Sequence, residues 1–365
     1  TNPDIAVGAG NTAKLSVGIV SAYQLYGDGS NLTNLPASGI STTIVRSDPQ
    51  ENLVAGTGAG AARDADTCFN IMFGCNAGAA LNAGDDSIFL GRCAGSAATS
   101  GNRNLAFGCT AMGDCAVTGS SNIALGTQAG MRLTTGNKNV FMGDNTAAAT
   151  EITGSYNIAF GTGAARCITS GGCNFIGGYN AGRCITTGAD NILLGRNTGA
   201  GGATLTGGSN IVLGKDAGKC ITSGTNNILL GCSAGGNATI TGSWNIAIGD
   251  GSMAPMASGY NNVALGQAAA KTLATGSGNV ILGVAAACKL TSGSFNIAIG
   301  CYTCLPIDNA SNQMALGCGV CSWIRGNANW NVGIGTTNPD TAVGVGNTAK
   351  LSVGIVSAYQ LYGDG

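Results

Sequence analysis

Asn104-Leu-Ala-Phe-Gly108, Asn122-Ile-Ala-Leu-Gly126, Asn139-Val-Phe-Met-Gly143 and Asn157-Ile-Ala-Phe-Gly161 are successive copies of one pentad: Asn, apolar, usually small, apolar, Gly. The pattern runs on from Asn174 to Gly178, Asn191 to Gly195, Asn210 to Gly214, Asn227 to Gly231 and Asn245 to Gly249. Earlier copies close at Gly56, Gly74 and Gly91, later ones at Gly266, Gly283, Gly300, Gly317 and Gly335. Successive closing glycines lie 17 to 19 residues apart, most often 17. A period of that length is the signature of a repeat architecture.

A second element recurs about half-way through many units, as Leu133-Thr-Thr-Gly136, Ile168-Thr-Ser-Gly171, Ile185-Thr-Thr-Gly188, Leu205-Thr-Gly207, Ile221-Thr-Ser-Gly224 and Ile240-Thr-Gly242. Each unit therefore reads as strand, turn, strand, turn, with short runs of Ile, Leu, Val and Thr bounded by Gly and Asn. So thin a unit cannot bury its own apolar face and must stack on its neighbours. The expectation is an all-β chain, a parallel β-solenoid (β-roll or β-helix) of about seventeen coils. At roughly 4.8 Å per coil this makes a rod about 80 Å long. The domains expected are a β-rich connector over 1–52, the solenoid over 53–335, and the start of the next connector over 336–365.

Within the pentad, side chains alternate with period 2. Placing the aliphatic second and fourth residues inward leaves the middle residue outward. That column is Ala124, Ala159, Ala247, Ala264 and Ala298, or the larger Phe141, Leu193, Val212, Leu229 and Ile281. An outward apolar stripe along a rod is usually an interface, and it predicts lateral packing against identical chains, most simply a homotrimer. The closing Gly suits a tight left-handed corner. The opening Asn tolerates that region too, and its amide can bond the Asn above and below.

The composition fits thin stacked layers: 63 glycines, 5% aromatic, 9% charged and 44% hydrophobic residues, many of them alanine. The chain is too apolar for disorder and poor in the large side chains of a globular core. With a net charge of -1, no basic patch is available for nucleic acid. There is no run of eighteen apolar residues, so membrane insertion is not expected, and no signal peptide is legible.

A longer repeat overlies the short one. Residues 1–29 and 337–365 are identical except at Ile5 against Thr341 and Ala9 against Val345. This predicts one repeat and the beginning of the next within a longer tandem fibre protein.

The pentad-plus-Thr-Gly unit resembles the head repeats of trimeric autotransporter adhesins. Asn331-Val-Gly-Ile-Gly-Thr-Thr-Asn-Pro339, Ala349-Lys-Leu-Ser-Val353 and Gly27-Asp-Gly-Ser-Asn-Leu-Thr33 resemble the shafts of bacteriophage tail fibres and related surface fibres. These resemblances imply a trimeric, extracellular or virion-borne spacer or receptor-facing fibre without catalysis in its shaft.

The 15 cysteines follow the coil. Cys115, Cys167, Cys184 and Cys220 precede the half-way glycine by four residues, and Cys75, Cys109, Cys232, Cys301 and Cys318 follow the pentad glycine. Stacking would place Cys167 over Cys184, Cys301 over Cys318 and Cys304 over Cys321. Disulfides riveting an extracellular fibre are the favoured reading, with buried reduced thiols close behind. A four-thiolate metal site at Cys301, Cys304, Cys318 and Cys321 comes last, because the period itself creates the spacing.

Catalysis and cofactors are not expected. With no histidine, no Ser-His-Asp or Cys-His arrangement exists. Asp85-Asp86 is the one acidic doublet, and Asp144, Asp216 and Asp250 sit at turns. Neither a calcium-binding nonapeptide nor the Lys-Ser/Thr ending of a phosphate loop is present. Two other functions stay open: a cell-surface glycan bound on exposed turns, and an ice-binding threonine ladder, to which only Thr204, Thr206, Thr239 and Thr241 would contribute. Asn31, Asn237 and Asn309 head potential glycosylation triplets.

Overall fold

The computed structural model describes residues 46–199, 201, 204–319, 321–335 and 339, the side chains of 46, 47 and 321 excepted. All belong to one compact unit, Thr43–Gly365. The expected connector up to residue 45, and the repeat start at 340–365, lie outside the described residues.

The fold is a parallel β-solenoid without helix among the described residues. Nineteen short strands form one sheet. The first, Arg46–Ser47, and the last two, Cys321–Gly326 and Val332–Ile334, pair antiparallel. The sixteen between, from Leu53–Ala55 to Met314–Cys318, are parallel rungs about fifteen turns deep. Fifteen spacings of about 4.8 Å give an array about 70 Å long. Of the seventeen closing glycines, sixteen therefore mark coils. Gly335 follows an antiparallel strand, because the chain reverses after Cys318 through Gly319 at φ +58°, a corner that suits a tight hairpin.

Register is strict. Ile192, Leu193 and Leu194 stand on Phe175, Ile176 and Gly177 and carry Ile211, Val212 and Leu213. The half-way element is not a second sheet: it survives as isolated bridges such as Leu133 with Ile152, Ile185 with Leu205 and Ile221 with Ile240. Its aliphatic residue nevertheless points inward and is fully buried at Leu133, Ile152, Ile185 and Leu205.

The facing of the pentad is opposite to the one expected from the sequence. The middle residue is buried in every rung from Met72 to Ala315, including Phe141, Leu193, Val212 and Leu229 at 0% exposure. The second and fourth residues face out. The opening asparagine decides this. Its amide donates to the carbonyl of a half-way glycine on the next coil, as Asn157 does to Gly171 at 2.9 Å, so it must point inward. Period 2 then turns the third residue in and the second and fourth out. The asparagine itself is not left-handed either; the residue before it is, as at Lys138 (φ 55°), Tyr156 (φ 63°) and Trp244 (φ 55°).

Three inward positions fill each coil: the pentad's middle residue, a small residue three places after the glycine, and the half-way aliphatic. A left-handed corner four places after the glycine adjusts the volume. Where the middle residue is Met72, Phe89, Ile176, Leu193, Val212 or Leu229, that corner is Gly78, Gly95, Gly182, Gly199, Gly218 or Gly235. Where it is Ala106 or Ala247, the corner is Met112 or Met253, both fully buried. A methyl added at Gly95 would run into the Phe89 ring. In these rungs large and small exchange places, as close packing requires; Ala124 keeps Gly130, where an added methyl would meet the Phe141 ring of the next rung.

The asparagines form one hydrogen-bonded column. Most donate through the backbone N–H and Nδ2 to Oδ1 of the asparagine below, Asn139 to Asn122 at 2.9 and 3.1 Å, for example; at one rung Ser87 stands in the column and accepts from Asn104 N at 3.1 Å. All the amide dipoles therefore align, and aligned hydrogen bonds reinforce one another. The donor end of the column meets a carboxylate: Asp48 accepts from Asn52 N (2.9 Å) and Nδ2 (3.1 Å) and from Arg63 Nε (3.0 Å). The other end closes on Gln313, which accepts from Ile307 N and donates to Ile307 and Ala310 carbonyls.

Burial pushes the Asp48 carboxyl up, but the bonds from Asn52 and Arg63 outweigh it and hold the group below its usual range. A depressed carboxylate stabilises the fold at neutral pH and loses that contribution as pH falls through the ordinary carboxylate range. Asp48→Asn is therefore expected to speed amide exchange at Asn70 and Ile71 by about tenfold at pH 7, an opening of roughly 1–2 kcal/mol. The gap between variant and parent should narrow by about pH 2, as pH falls below the ordinary carboxylate range toward the group's depressed folded-state value. A difference of the same size at both pH values would show that the charge is not what caps the column.

Candidate functional site

The outward face of the sheet carries two columns of apolar side chains. The second pentad residues run Ile71, Ile88, Leu105, Ile123, Val140, Ile158, Phe175, Ile192 and onward to Met314; the fourth run Phe73, Leu90, Phe107, Leu125, Met142, Phe160 and onward to Leu316. None of these positions is polar or charged in any of the sixteen rungs. Each residue is shielded above and below by its counterparts, yet Phe107 stays 55% exposed and Ile158 43%. Phe160 and Phe175 also pack across adjacent rungs, ring centroids 5.7 Å apart.

Polar groups and aromatics flank these columns. On one side stand the left-handed residues before each asparagine, among them Phe69, Arg103, Lys138, Tyr156, Trp244 and Phe295. Lys138 Nζ lies 5.0 Å from the Tyr156 ring centroid, close enough for a cation–π contact. On the other side stand the residues after each closing glycine, including Arg92, Tyr179, Arg196, Lys215 and Asp250.

The cysteines do not form the expected rivets. No disulfide joins the fourteen whose side chains are described, Cys167, Cys184, Cys301, Cys304 and Cys318 among them. The stacking itself explains why. Equivalent side chains on neighbouring rungs point the same way, so their Cβ atoms stay roughly 4.8 Å apart, beyond the ordinary disulfide range of about 3.5–4.5 Å. Cys167 and Cys184 do come together: Cys167 N donates to Arg183 O at 3.1 Å. Burial pushes the Cys167 thiol up, and Cys184 adds to this against Arg166 and Arg183. Cys304 and Cys321 are not stacked neighbours. The reversal at Gly319 pairs Cys321 with Cys318 in antiparallel register instead. No group of three or more potential metal ligands gathers among the described residues.

Two concave places adjoin the face. One, of about 410 Å³, is lined by Asn145, Thr162, Arg166, Tyr179, Asn180 and Arg183. The other, of about 310 Å³, lies between the last rungs and the terminal meander, where Phe295, Ile297, Met314, Trp330 and Val332 meet Asn312 and Gln313. The half-way threonines spend their hydroxyls inside the structure: Thr134 and Thr222 donate to the Ile152 and Ile240 carbonyls, both at 3.1 Å.

The asparagines and closing glycines marked in the sequence stand at equivalent places on successive rungs, Ser87 and Gln313 taking the asparagine's place on two of them. The two outward columns were missed as a surface, and the signal for them was available: they are the pentad positions that stay mostly large and apolar while the middle residue alternates between alanine and larger groups. No known protein family matches the chain, and no curated protein matches it.

Proposed function

We propose that this chain is a structural segment of a fibre or filament, extracellular or virion-borne, serving as a spacer or adhesive shaft. The observation that carries the reading is the register of sixteen rungs on one column of buried polar side chains, asparagine in all but two, Ser87 and Gln313. Such a scaffold gives reach and stiffness. The return of residues 1–29 at 337–365 supports tandem continuation of the same unit. The resemblance to phage tail-fibre shafts and trimeric adhesin heads agrees with it at the level of fold, which alone does not establish function. Its partners on this reading are further copies of itself, as a homotrimer or another homo-oligomer.

Electron microscopy of proteins carrying one, two and three tandem units tests this. Each added unit is expected to lengthen a thin rod by at least the array's roughly 70 Å. Compact particles that do not lengthen would overturn it. The second reading, recognition of a cell-surface glycan, draws on the cleft holding Arg166, Arg183 and Tyr179, since guanidinium groups suit carboxylate or sulfate. Binding to acidic glycans on an array, lost in Arg166→Ala/Arg183→Ala, would favour it; no binding would leave the pure spacer.

A further inference from the structure

We propose that the two outward apolar columns are a homotypic interface, covered in the assembled protein by the same face of a second copy of this chain. The proposal rests on the fibre reading and names the surface through which the fibre thickens.

Size is the first argument. The columns run about 70 Å and span about 10 Å, a footprint on the order of 700 Å². The largest apolar patch on a typical monomer is about 300–600 Å². A stable interface buries about 800 Å² per partner. The face is larger than a lone chain ordinarily exposes and near the size that one partner covers.

Chemistry is the second. The columns contain no charged or polar side chain, while aromatics, arginines and lysines line both margins: Arg103, Lys138, Tyr156 and Trp244 on one, Arg92, Tyr179, Arg196 and Lys215 on the other. An apolar centre within a margin of this composition is the anatomy of protein–protein interfaces. Regularity then selects the partner. Every rung holds its two outward positions at one spacing, and apart from Ala55 and Gly177 both carry a large apolar side chain, so the surface best matched to this face, rung for rung, is the same face on another copy. Matching of a patch to itself is what a two-fold interface requires.

The ends of the array point the same way. Arg46–Ser47 covers one edge of the parallel stack and Cys321–Gly326 with Val332–Ile334 the other. Short antiparallel strands of this kind blunt an edge against strand addition. Growth by joining sheets end to end is hindered, and the side face is left as the route to association.

The test compares the full chain with two triple variants by sedimentation velocity and native mass spectrometry, with circular dichroism as the check on folding. Ile192→Lys/Ile211→Lys/Ile228→Lys puts three charges in one outward column. Thr135→Lys/Thr187→Lys/Ser223→Lys adds the same charge at exposed half-way turns. The parent and the turn variant are expected at a multiple of the 35.7 kDa chain mass. The column variant should be a folded monomer, its association weakened by at least roughly 1000-fold. Should the column variant fail to fold, dilution of the parent decides: a shift to monomer exposing a new dye-binding apolar surface supports the proposal. A parent monomeric at all concentrations, or a folded column variant that still associates like the parent, overturns it. A monomeric parent that still forms a rod would leave the spacer reading standing.

Discussion

Asn174→Leu is expected to destabilise the array by about 3–6 kcal/mol. Asn174 Nδ2 donates to Asn157 Oδ1 and to Gly188 O, both at 2.9 Å. Its Oδ1 accepts from Asn191 N at 3.0 Å and Asn191 Nδ2 at 3.1 Å. Leucine matches the volume and supplies none of these bonds. It leaves the buried N–H of Asn191 and the carbonyl of Gly188 unpaired at once, each costing about 1–3 kcal/mol. The column also loses its continuity, so bonds on either side no longer polarise one another. Asn174→Ser should cost much less, about 1–2 kcal/mol. The reason is already in the protein: Ser87 occupies the same place, accepts from Asn104 N at 3.1 Å and lets the column pass. Urea unfolding followed by circular dichroism checks both variants. A leucine variant within about 1 kcal/mol of the parent would show that the amide column contributes little beyond what backbone pairing already supplies.

Gly154→Ala carries a comparable penalty for a different reason. A methyl built on Gly154 would overlap the carbonyl oxygen of Gly171 on the next coil. That carbonyl is also the acceptor for Asn157 Nδ2 at 2.9 Å. The rungs cannot separate locally without breaking the pairing of both neighbours, so the backbone has nowhere to shift. We expect a loss of at least about 3 kcal/mol, at or above the top of the roughly 1–3 kcal/mol typical of overpacking, because the contact is with backbone that cannot yield. Gly251→Ala is the comparison. Gly251 has φ +63°, and nothing lies within 4 Å of an added methyl, so only left-handed strain of about 1–2 kcal/mol remains. Equal midpoints for the two variants in thermal unfolding would refute the close-approach argument.

These two positions also show what could be read from the residues alone. Period, rung order and an asparagine ladder followed directly from the 17-to-19-residue spacing of Asn and Gly; that the ladder lies inside the coil did not. Which way the pentad faces did not, because large aliphatics were taken to mark the interior. In a thin coil that rule fails. The interior is shared by three residues and tuned by a fourth, so Ala106 with Met112 and Leu193 with Gly199 are equivalent solutions. The exterior positions stack on their counterparts above and below, and there Ile, Leu and Val predominate, with Phe73, Phe107, Phe160, Phe175 and Met142 among the exceptions. The hydrogen-bonding duty of Asn157 and its counterparts contained the answer, since an amide bonded to a carbonyl inside the next coil fixes the parity of its strand. The cysteines misled for a related reason. Alignment along a solenoid brings Cys167 near Cys184, but parallel side chains are poorly disposed to close a bond. The end of the array after Gly317 was hidden because Gly335 continues the pattern of marks while the backbone has already turned back.

The rungs lie across the long axis of the array, and this sets how much chain it stores. A coil of 17 residues has a contour of about 58 Å when drawn out, yet occupies only about 4.8 Å of axial rise. Every coil therefore holds about twelve times its own height in reserve. Because each contacts only the coils above and below, that slack is divided into separate portions, released by peeling one turn from an end while the remainder keeps its register. A tether built this way is short and stiff at rest and many times longer once its turns have been drawn off.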